Sequence, residues 1–251
     1  MKFNFTKKKF IDILIIVLII LFSCLLFYEL YNLASNYSKS IIVEGMTLQI
    51  ITTQPTIDIS NVDITKLCNA IVTDISNIQI LDQNISAVGN NLNGLITSYN
   101  NNNNTNQPPL NPLTLTSIDS QPKLSCSLQN NSICSTINNN ITNINTINTN
   151  IQSIITTINE LPDGPSNMAN IQIQKITAQN EISPCPSSSN IASSTIGQIE
   201  NTNINNIYTL STNIASLNNL VTNLQNDQNN QANQASSAGN NIASQVGISV
   251  Q

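Results

Sequence analysis

Few residues in this sequence have the types and spacing that catalysis requires. The chain contains no His, which excludes a His-based catalytic triad and His ligation of a metal. Its seven Gly are scattered singly and form no glycine-rich phosphate loop. Its thirteen acidic residues are spread out, with no pair at a spacing typical of general acid–base catalysis. We therefore predict a protein that is not an enzyme, with no catalytic, cofactor-binding or metal-binding residues, no cofactor and no small-molecule substrate.

Cysteine provides the remaining reactive side chains. Cys24 lies in an apolar N-terminal run, and the other four are Cys68, Cys126, Cys134 and Cys185. No CxxC pair occurs, which disfavours a zinc site, and four cysteines allow three disulfide pairings. If three helices run up, down and up, the pairs Cys68–Cys185 and Cys126–Cys134 come together. Four reduced, buried thiols are the alternative, favoured by an intracellular compartment.

Beyond the N-terminal apolar run, five Asn-x-Ser/Thr triplets are candidate glycosylation sites. In a chain so rich in Asn, Ser and Thr such triplets arise by chance, and a glycan on one of them would report the side of the membrane it faces. They are at Asn36, Asn84, Asn103, Asn130 and Asn140.

The composition is poor in charged residues and rich in Asn. Charged residues make up 8% of the chain, the net charge is −5, and all eight basic residues are Lys. Asn accounts for 45 residues, a usage typical of an A+T-rich genome. Apart from Lys7, Lys8 and Lys9 there is no basic patch, so we expect no nucleic-acid partner.

The N-terminal region predicts a membrane anchor. The three lysines precede an apolar run over 10–27 that is long enough, as a helix, to cross a bilayer. We predict a transmembrane helix within 10–30 and, from the positive-inside rule, a cytosolic N-terminus. A cleaved signal peptide is one alternative, although the apolar run continues through Tyr28. A lipobox-like site ending at Cys24 is another, disfavoured by the bulky Phe22.

Three stretches carry Ile, Leu or Val at alternating steps of three and four residues. Such a stripe is typical of an amphipathic helix that packs in a bundle, and it predicts helices near 61–97, 132–161 and 191–231. Asn and Thr are mediocre helix formers, so packing of the stripe must stabilise these helices. Accordingly, Ile78→Asn should loosen the domain, while Asn140→Ala should be nearly silent.

Short stretches with period-two alternation predict a few β-strands. They lie around Leu48–Ile50, Thr56–Ile59, Leu113–Thr116 and Ile171–Gln174. The fold class expected is mainly α: a transmembrane helix followed by an antiparallel bundle of about three long helices, with a few short strands. Breaks rich in Asn and Pro favour such a folded-back bundle.

The predicted organisation has five parts. The bundle contains loops at 98–125, 162–170 and 183–190. The parts are a basic N-terminus (1–9), the anchor (10–30), an extended connector (31–60), the bundle (61–231) and a flexible tail (232–251).

In style of composition, the chain resembles small membrane-anchored virion proteins of A+T-rich large DNA viruses. That resemblance implies a structural protein in the inner membrane of a virus particle, linking it to the capsid, with the lipid bilayer and other capsid or membrane proteins as partners. The alternative is an adhesin or attachment stalk with an Asn/Thr-rich coiled coil. An adhesin should form a long parallel trimer, and a capsid anchor should form an antiparallel bundle.

Overall fold

The structure, a computed structural model, describes residues 47–102, 108–120, 124, 130–162, 164–169, 171–182 and 193–245. They belong to the unit Gly45–Gln251. The predicted anchor (10–30) lies outside them. Within the described residues, no helix has both the length and the apolar character needed to cross a membrane.

The described residues are mainly helical, as predicted. The helices are α1 (Ile64–Asn102), α2 (Asn130–Glu160), the short α3 (Gly164–Met168) and α4 (Ser193–Gln245). The three predicted helices correspond to α1, α2 and α4. The last continues to Gln245, through most of the predicted tail, and α3 lies in the predicted loop 162–170.

Local signals define the ends of α1 and α2. Asp63 caps α1, because its carboxylate accepts hydrogen bonds from the N–H groups of Thr65 at 2.8 Å and Lys66 at 3.3 Å. After α2 the chain turns at Pro162 and Gly164. A Cβ atom on Gly164 would lie 1.6 Å from the carbonyl oxygen of Ile158, so only glycine fits this turn.

The apolar stripes of α1, α2 and α4 form the core, as the periodicity predicts. A lower cluster joins the beginnings of the three helices, and an upper cluster joins their middle and later parts. The lower cluster consists of Ile57, Leu67, Ala70, Ile71, Ile133, Ile137, Ile141, Ile196 and Ile204. The upper cluster includes Ile78 to Ile96 of α1, Ile144 to Ile158 of α2 and Ile207 to Leu224 of α4.

The three long helices are parallel, so the predicted antiparallel bundle is wrong. Their N-terminal turns share one cluster, which an up-down-up arrangement would separate. The hydrogen bonds of the extended segment 108–120 also indicate that α1 and α2 run in the same direction. Along it, successive bonds reach Asn100 and then Asn93 of α1, followed by Asn150 and then Asn143 of α2. Segment B thus runs from the later part of each helix toward its beginning, which requires α1 and α2 to be parallel.

Three extended segments return the chain along the helices, and the predicted β-strands are wrong. We name them segment A (47–57), segment B (108–120) and segment C (171–182). They include the period-two stretches except for Asp58 and Ile59, which follow segment A, but no strand occurs among the described residues. The backbone groups of these segments bind side chains of the helices rather than a neighbouring strand.

Candidate functional site: asparagine columns and a buried polar layer

Asparagine side chains of the helices hold the extended segments by a repeated pair of hydrogen bonds. In each pair, the amide oxygen accepts from the backbone N–H of one segment residue, and the amide nitrogen donates to the C=O of the same residue. Ten such pairs occur among the described residues, with bond lengths of 2.5 to 3.0 Å. We call the asparagines of these pairs the asparagine columns. They are Asn77, Asn84 and Asn201 for segment A, Asn93, Asn100, Asn143 and Asn150 for segment B, and Asn138, Asn206 and Asn213 for segment C.

The pairs follow a fixed register. Asn143 and Asn150 are seven residues apart, and they bind Asp119 and Thr116, which are three residues apart. Two helical turns rise about 10.5 Å, and three extended residues cover about 10 Å, so the two spacings match. Such a match lets one asparagine per heptad bind every third residue of the segment.

Each segment lies in the groove between two helices. Segment A binds α1 through Asn84 and Asn77, and α4 through Asn201 and through Tyr208, whose hydroxyl accepts from Gln54 N–H at 2.7 Å. Segment B is bound by α1 and α2, and segment C by α4 and α2. The chain therefore repeats one unit, an extended segment followed by a helix, three times around the bundle.

Segment B packs closely against α1 where these hydrogen bonds form. A Cβ atom on Gly89 of α1 would lie 2.7 Å from a methyl carbon of Leu115, so glycine leaves room for the side chains of segment B. The segments contribute Leu110, Leu113, Leu115, Ile171 and Ile173 to the surface of the upper cluster. Apolar contact thus supports the asparagine pairs.

A polar layer interrupts the core between the two apolar clusters. Asp74 of α1, Asn140 of α2, and Glu200 and Asn203 of α4 are all completely buried. Ile71 and Ile137 lie in the cluster below the layer, and Ile78, Ile144 and Ile207 in the cluster above it.

Hydrogen bonds connect part of this layer. Gln54 of segment A donates from its amide to one oxygen of Asp74, and the two carboxyl groups of Asp74 and Glu200 are hydrogen-bonded to each other. Asn203 donates to Glu200 at 3.3 Å. Both amide atoms of Asn140 have no hydrogen-bond partner among the described residues.

Burial makes the two carboxyl groups weak acids. Loss of solvation raises the pKa of Asp74 to about 7, while its hydrogen bonds to Gln54 and Glu200 act in the opposite direction. Loss of solvation also raises the pKa of Glu200 well above its usual value, and the nearby charge of Asp74 adds to the effect. The pair therefore retains protons at a pH where exposed carboxyl groups are ionised.

Comparisons with protein families, with characterised proteins and with solved structures found no match to this chain. The asparagine columns and the polar layer therefore have to be interpreted from their own chemistry. No group of three or more His, Cys, Asp or Glu side chains suited to a metal occurs in the part of the chain that the structure describes.

The cysteines are placed only in part. Cys68 and Cys134 are buried near the beginnings of α1 and α2, and each is disulfide-bonded. Cys126 and Cys185 lie outside the described residues, so the pairs Cys68–Cys185 and Cys126–Cys134 stay a prediction. The reason given for them no longer holds, because it assumed helices running up, down and up.

Two glycosylation candidates are incompatible with this fold. Asn84 is 5% exposed and its amide binds Gln49, while Asn140 is 0% exposed within the polar layer. A glycan on either would have to displace core contacts. Asn36 and Asn103 lie outside the described residues, and Asn130 is the first residue of α2. Asn140 is therefore a core residue, whereas the effect of Asn140→Ala on stability stays a prediction.

Sequence reasoning missed both the columns and the polar layer. Asp74 and Glu200 are far apart in sequence, and only the fold brings them together. One signal was present: the heptad-spaced pairs Asn77/Asn84, Asn143/Asn150 and Asn206/Asn213 occupy the same place relative to the Ile/Leu stripe of each helix. An internal repeat of asparagine at that place indicates a specific role rather than a solvated surface.

Proposed function

We propose that this chain is a non-enzymatic structural protein of a virus particle, anchored in an internal membrane by one helix within 10–30 and linking that membrane to the protein capsid. The observation that carries the proposal is the self-contained rod formed by α1, α2 and α4. Its grooves are filled by the chain's own segments A, B and C through paired bonds. At about 1.5 Å per residue, the 53-residue α4 extends about 80 Å.

The chemistry of the described surface supports a spacer rather than an enzyme. Many Thr and Ser hydroxyls on the helices donate to the carbonyl four residues earlier, as Thr149 does to Asn145 and Thr212 does to Tyr208. Such side chains are already hydrogen-bonded within their own helix. The titratable pair Asp74 and Glu200 is completely buried, away from any substrate in solution.

An attachment stalk is the second candidate, and the parallel direction of the helices favours it. Parallel helices were expected of an adhesin trimer, and here one chain provides all three. Both candidates use the same rod and the same N-terminal membrane anchor, with a cytosolic N-terminus. They differ in the partner of the rod: another capsid or membrane protein for the spacer, and an external surface for the stalk.

Crosslinking in the native particle distinguishes the two. A photoreactive residue at the exposed Gln231 of α4 should couple the full chain to a capsid protein if it is a spacer. The matched control places the same residue at the exposed Thr116, which segment B presents on the side of the bundle. Cleavage of α4 by protease added to intact particles, without capsid crosslinks, would overturn the spacer and support the stalk.

A further inference from the structure

We propose that the buried polar layer is a cation site that takes a divalent ion of the Ca²⁺ class, held by Asp74, Glu200 and the amide oxygens of Asn140, Asn203 and Gln54. The inference is independent of the proposed function. It starts from the composition of the layer, in which oxygen atoms without a hydrogen-bond partner predominate.

The unpartnered buried oxygens come from every element around the layer. They are Gln54 Oε1, Asp74 Oδ2, Asn140 Oδ1, Glu200 Oε1 and Asn203 Oδ1. A buried acceptor without a partner costs free energy, and an unpaired carboxylate costs more. A metal cation, which accepts electron pairs, would satisfy all of these oxygens at once.

The burial of Asn140 supports the cation site independently of the two acidic residues. It is 0% exposed, and both its amide atoms are unpartnered. Its neighbours along α2, Ile137 and Ile144, belong to the lower and upper clusters respectively. Because Ile71 and Ile78 flank Asp74 in the same way, the amide of Asn140 is placed at the level of the two carboxyl groups.

Charge and ligand type select the kind of ion. Two carboxylates balance a charge of +2, which removes the cost of burying them as anions. Carboxylate and amide oxygens are the ligands of hard cations, and Ca²⁺ accepts six to eight of them in irregular geometry. Mg²⁺ requires a near-ideal octahedron and usually keeps several waters, which suits this packed interior less well. The absence of His and thiol ligands disfavours transition metals.

The position of the layer predicts slow exchange of the ion. The side chains lie within the bundle, and Gln54 of segment A donates to Asp74. The ion would therefore be incorporated during folding and released only when segment A detaches. It would join all three long helices and one segment at a single point.

The experiment uses the full chain in detergent, refolded with Ca²⁺ or with a chelator, and measures bound metal by elemental analysis and Tm by circular dichroism. We expect one Ca²⁺ per chain and a Tm that rises with Ca²⁺ concentration, as linkage requires. Mg²⁺ and matched ionic strength with Na⁺ should give much smaller shifts.

Two variants make the test specific. Asp74→Asn combined with Glu200→Gln keeps the side-chain shapes, and it should fold without Ca²⁺ while losing both bound metal and the Ca²⁺-dependent shift in Tm. The matched control, Asp227→Asn, removes an exposed acid of α4 and should retain both. A wild-type chain that refolds with no bound metal and the same Tm in Ca²⁺ and in chelator would overturn the proposal. So would a double variant that still binds Ca²⁺.

Discussion

An asparagine side chain carries one acceptor and one donor side by side, and so does one residue of an extended chain. The two fit each other as a pair, which explains why the columns use Asn in ten places. Ser or Thr could supply only a single hydroxyl, and Gln would place the amide about one bond farther from the helix. An uncharged amide also avoids the cost of burying a charge in the groove.

Removing one such amide should destabilise the domain. Asn143→Ala leaves the N–H and C=O of Asp119 without their partner in a partly buried groove, and we expect the free energy of unfolding to fall by about 1–3 kcal/mol. The matched control is Asn145→Ala on the exposed face of the same helix, which gains the same helix propensity. Urea unfolding of the two variants measures the difference, and equal stabilities would contradict the role of the column.

The acid pair predicts how stability depends on pH when chelator is present. The pKa of Asp74 is raised to about 7 in the folded protein, from near 4 when unfolded, so the folded state holds the extra proton. The stabilisation that comes from the raised pKa of Asp74 is complete below about pH 4 and is lost as the pH rises through about 7. Glu200, whose pKa is also raised, acts in the same direction.

Urea midpoints measured from pH 4 to 8 test this dependence. The wild-type midpoint should fall across that range, and Asp74→Asn should flatten the slope because the amide does not titrate. Asp227→Asn should keep the wild-type slope. A midpoint that rises from pH 4 to 7 would mean that the pair is ionised in the folded state.

At the scale of elements, sequence periodicity predicted the helices well and the segments poorly. The Ile/Leu stripe is a direct consequence of burying one helix face, so α1, α2 and α4 were found within a few residues at most ends. Stretches such as Leu113–Thr116 alternate because they lie in a groove with one side buried. A strand in a sheet gives the same alternation, and the pattern does not reveal whether a strand or a helix supplies the hydrogen bonds.

The register of segments and helices leads to a new expectation for the disulfides. Gly197 lies one turn before Asn201, which binds Ile57. A side chain at position 197 would contact Ile57 itself and Ile59, two residues later. Cys134 has the equivalent place one turn before Asn138, which binds Ile182. By this equivalence we expect Cys134 to pair with Cys185, which follows Ile182 by three residues in sequence.

The same argument pairs Cys68 with Cys126. Cys68 lies three heptads before Gly89 and so on the side of α1 that holds segment B, and Leu124, two residues before Cys126, packs against the lower cluster. Peptide mapping of the unreduced full chain, with thiols blocked before denaturation, should give Cys68–Cys126 and Cys134–Cys185. Recovery of Cys68–Cys185 with Cys126–Cys134 would contradict the equivalence of the three units.

At the scale of the whole molecule, helix direction was the feature that the sequence did not reveal. The stripes are the same whether helices are parallel or antiparallel, and the breaks rich in Asn and Pro were interpreted as loops of a folded-back bundle. Residues 103–129 at about 3.3 Å each can run back along the whole of α1 before α2 begins. The described parts of these connections, segments B and C, therefore pack along the helices as part of the rod. Only the asparagine repeat in the three helices carried information about that arrangement.

The threefold repetition within one chain predicts a monomer. In a trimeric coiled coil each chain supplies one helix to every core layer, whereas here Ile78, Ile144 and Ile207 fill equivalent positions from α1, α2 and α4. The three grooves between these helices are occupied by segments A, B and C, which leaves no helix face of this core for a second copy. Light scattering of the detergent-solubilised full chain should give a protein mass near 27.3 kDa.

Disruption of the core should not change that mass. Ile78→Asn places an unpartnered amide in the upper cluster, and loss of a buried aliphatic side chain costs about 2–5 kcal/mol, so we expect a lower Tm but still one chain per particle. Asn145→Ala serves again as the folded control. A wild-type mass of about three chains would show that the grooves are filled differently in solution, by segments exchanged between copies, and would contradict the single-chain rod on which the spacer proposal rests.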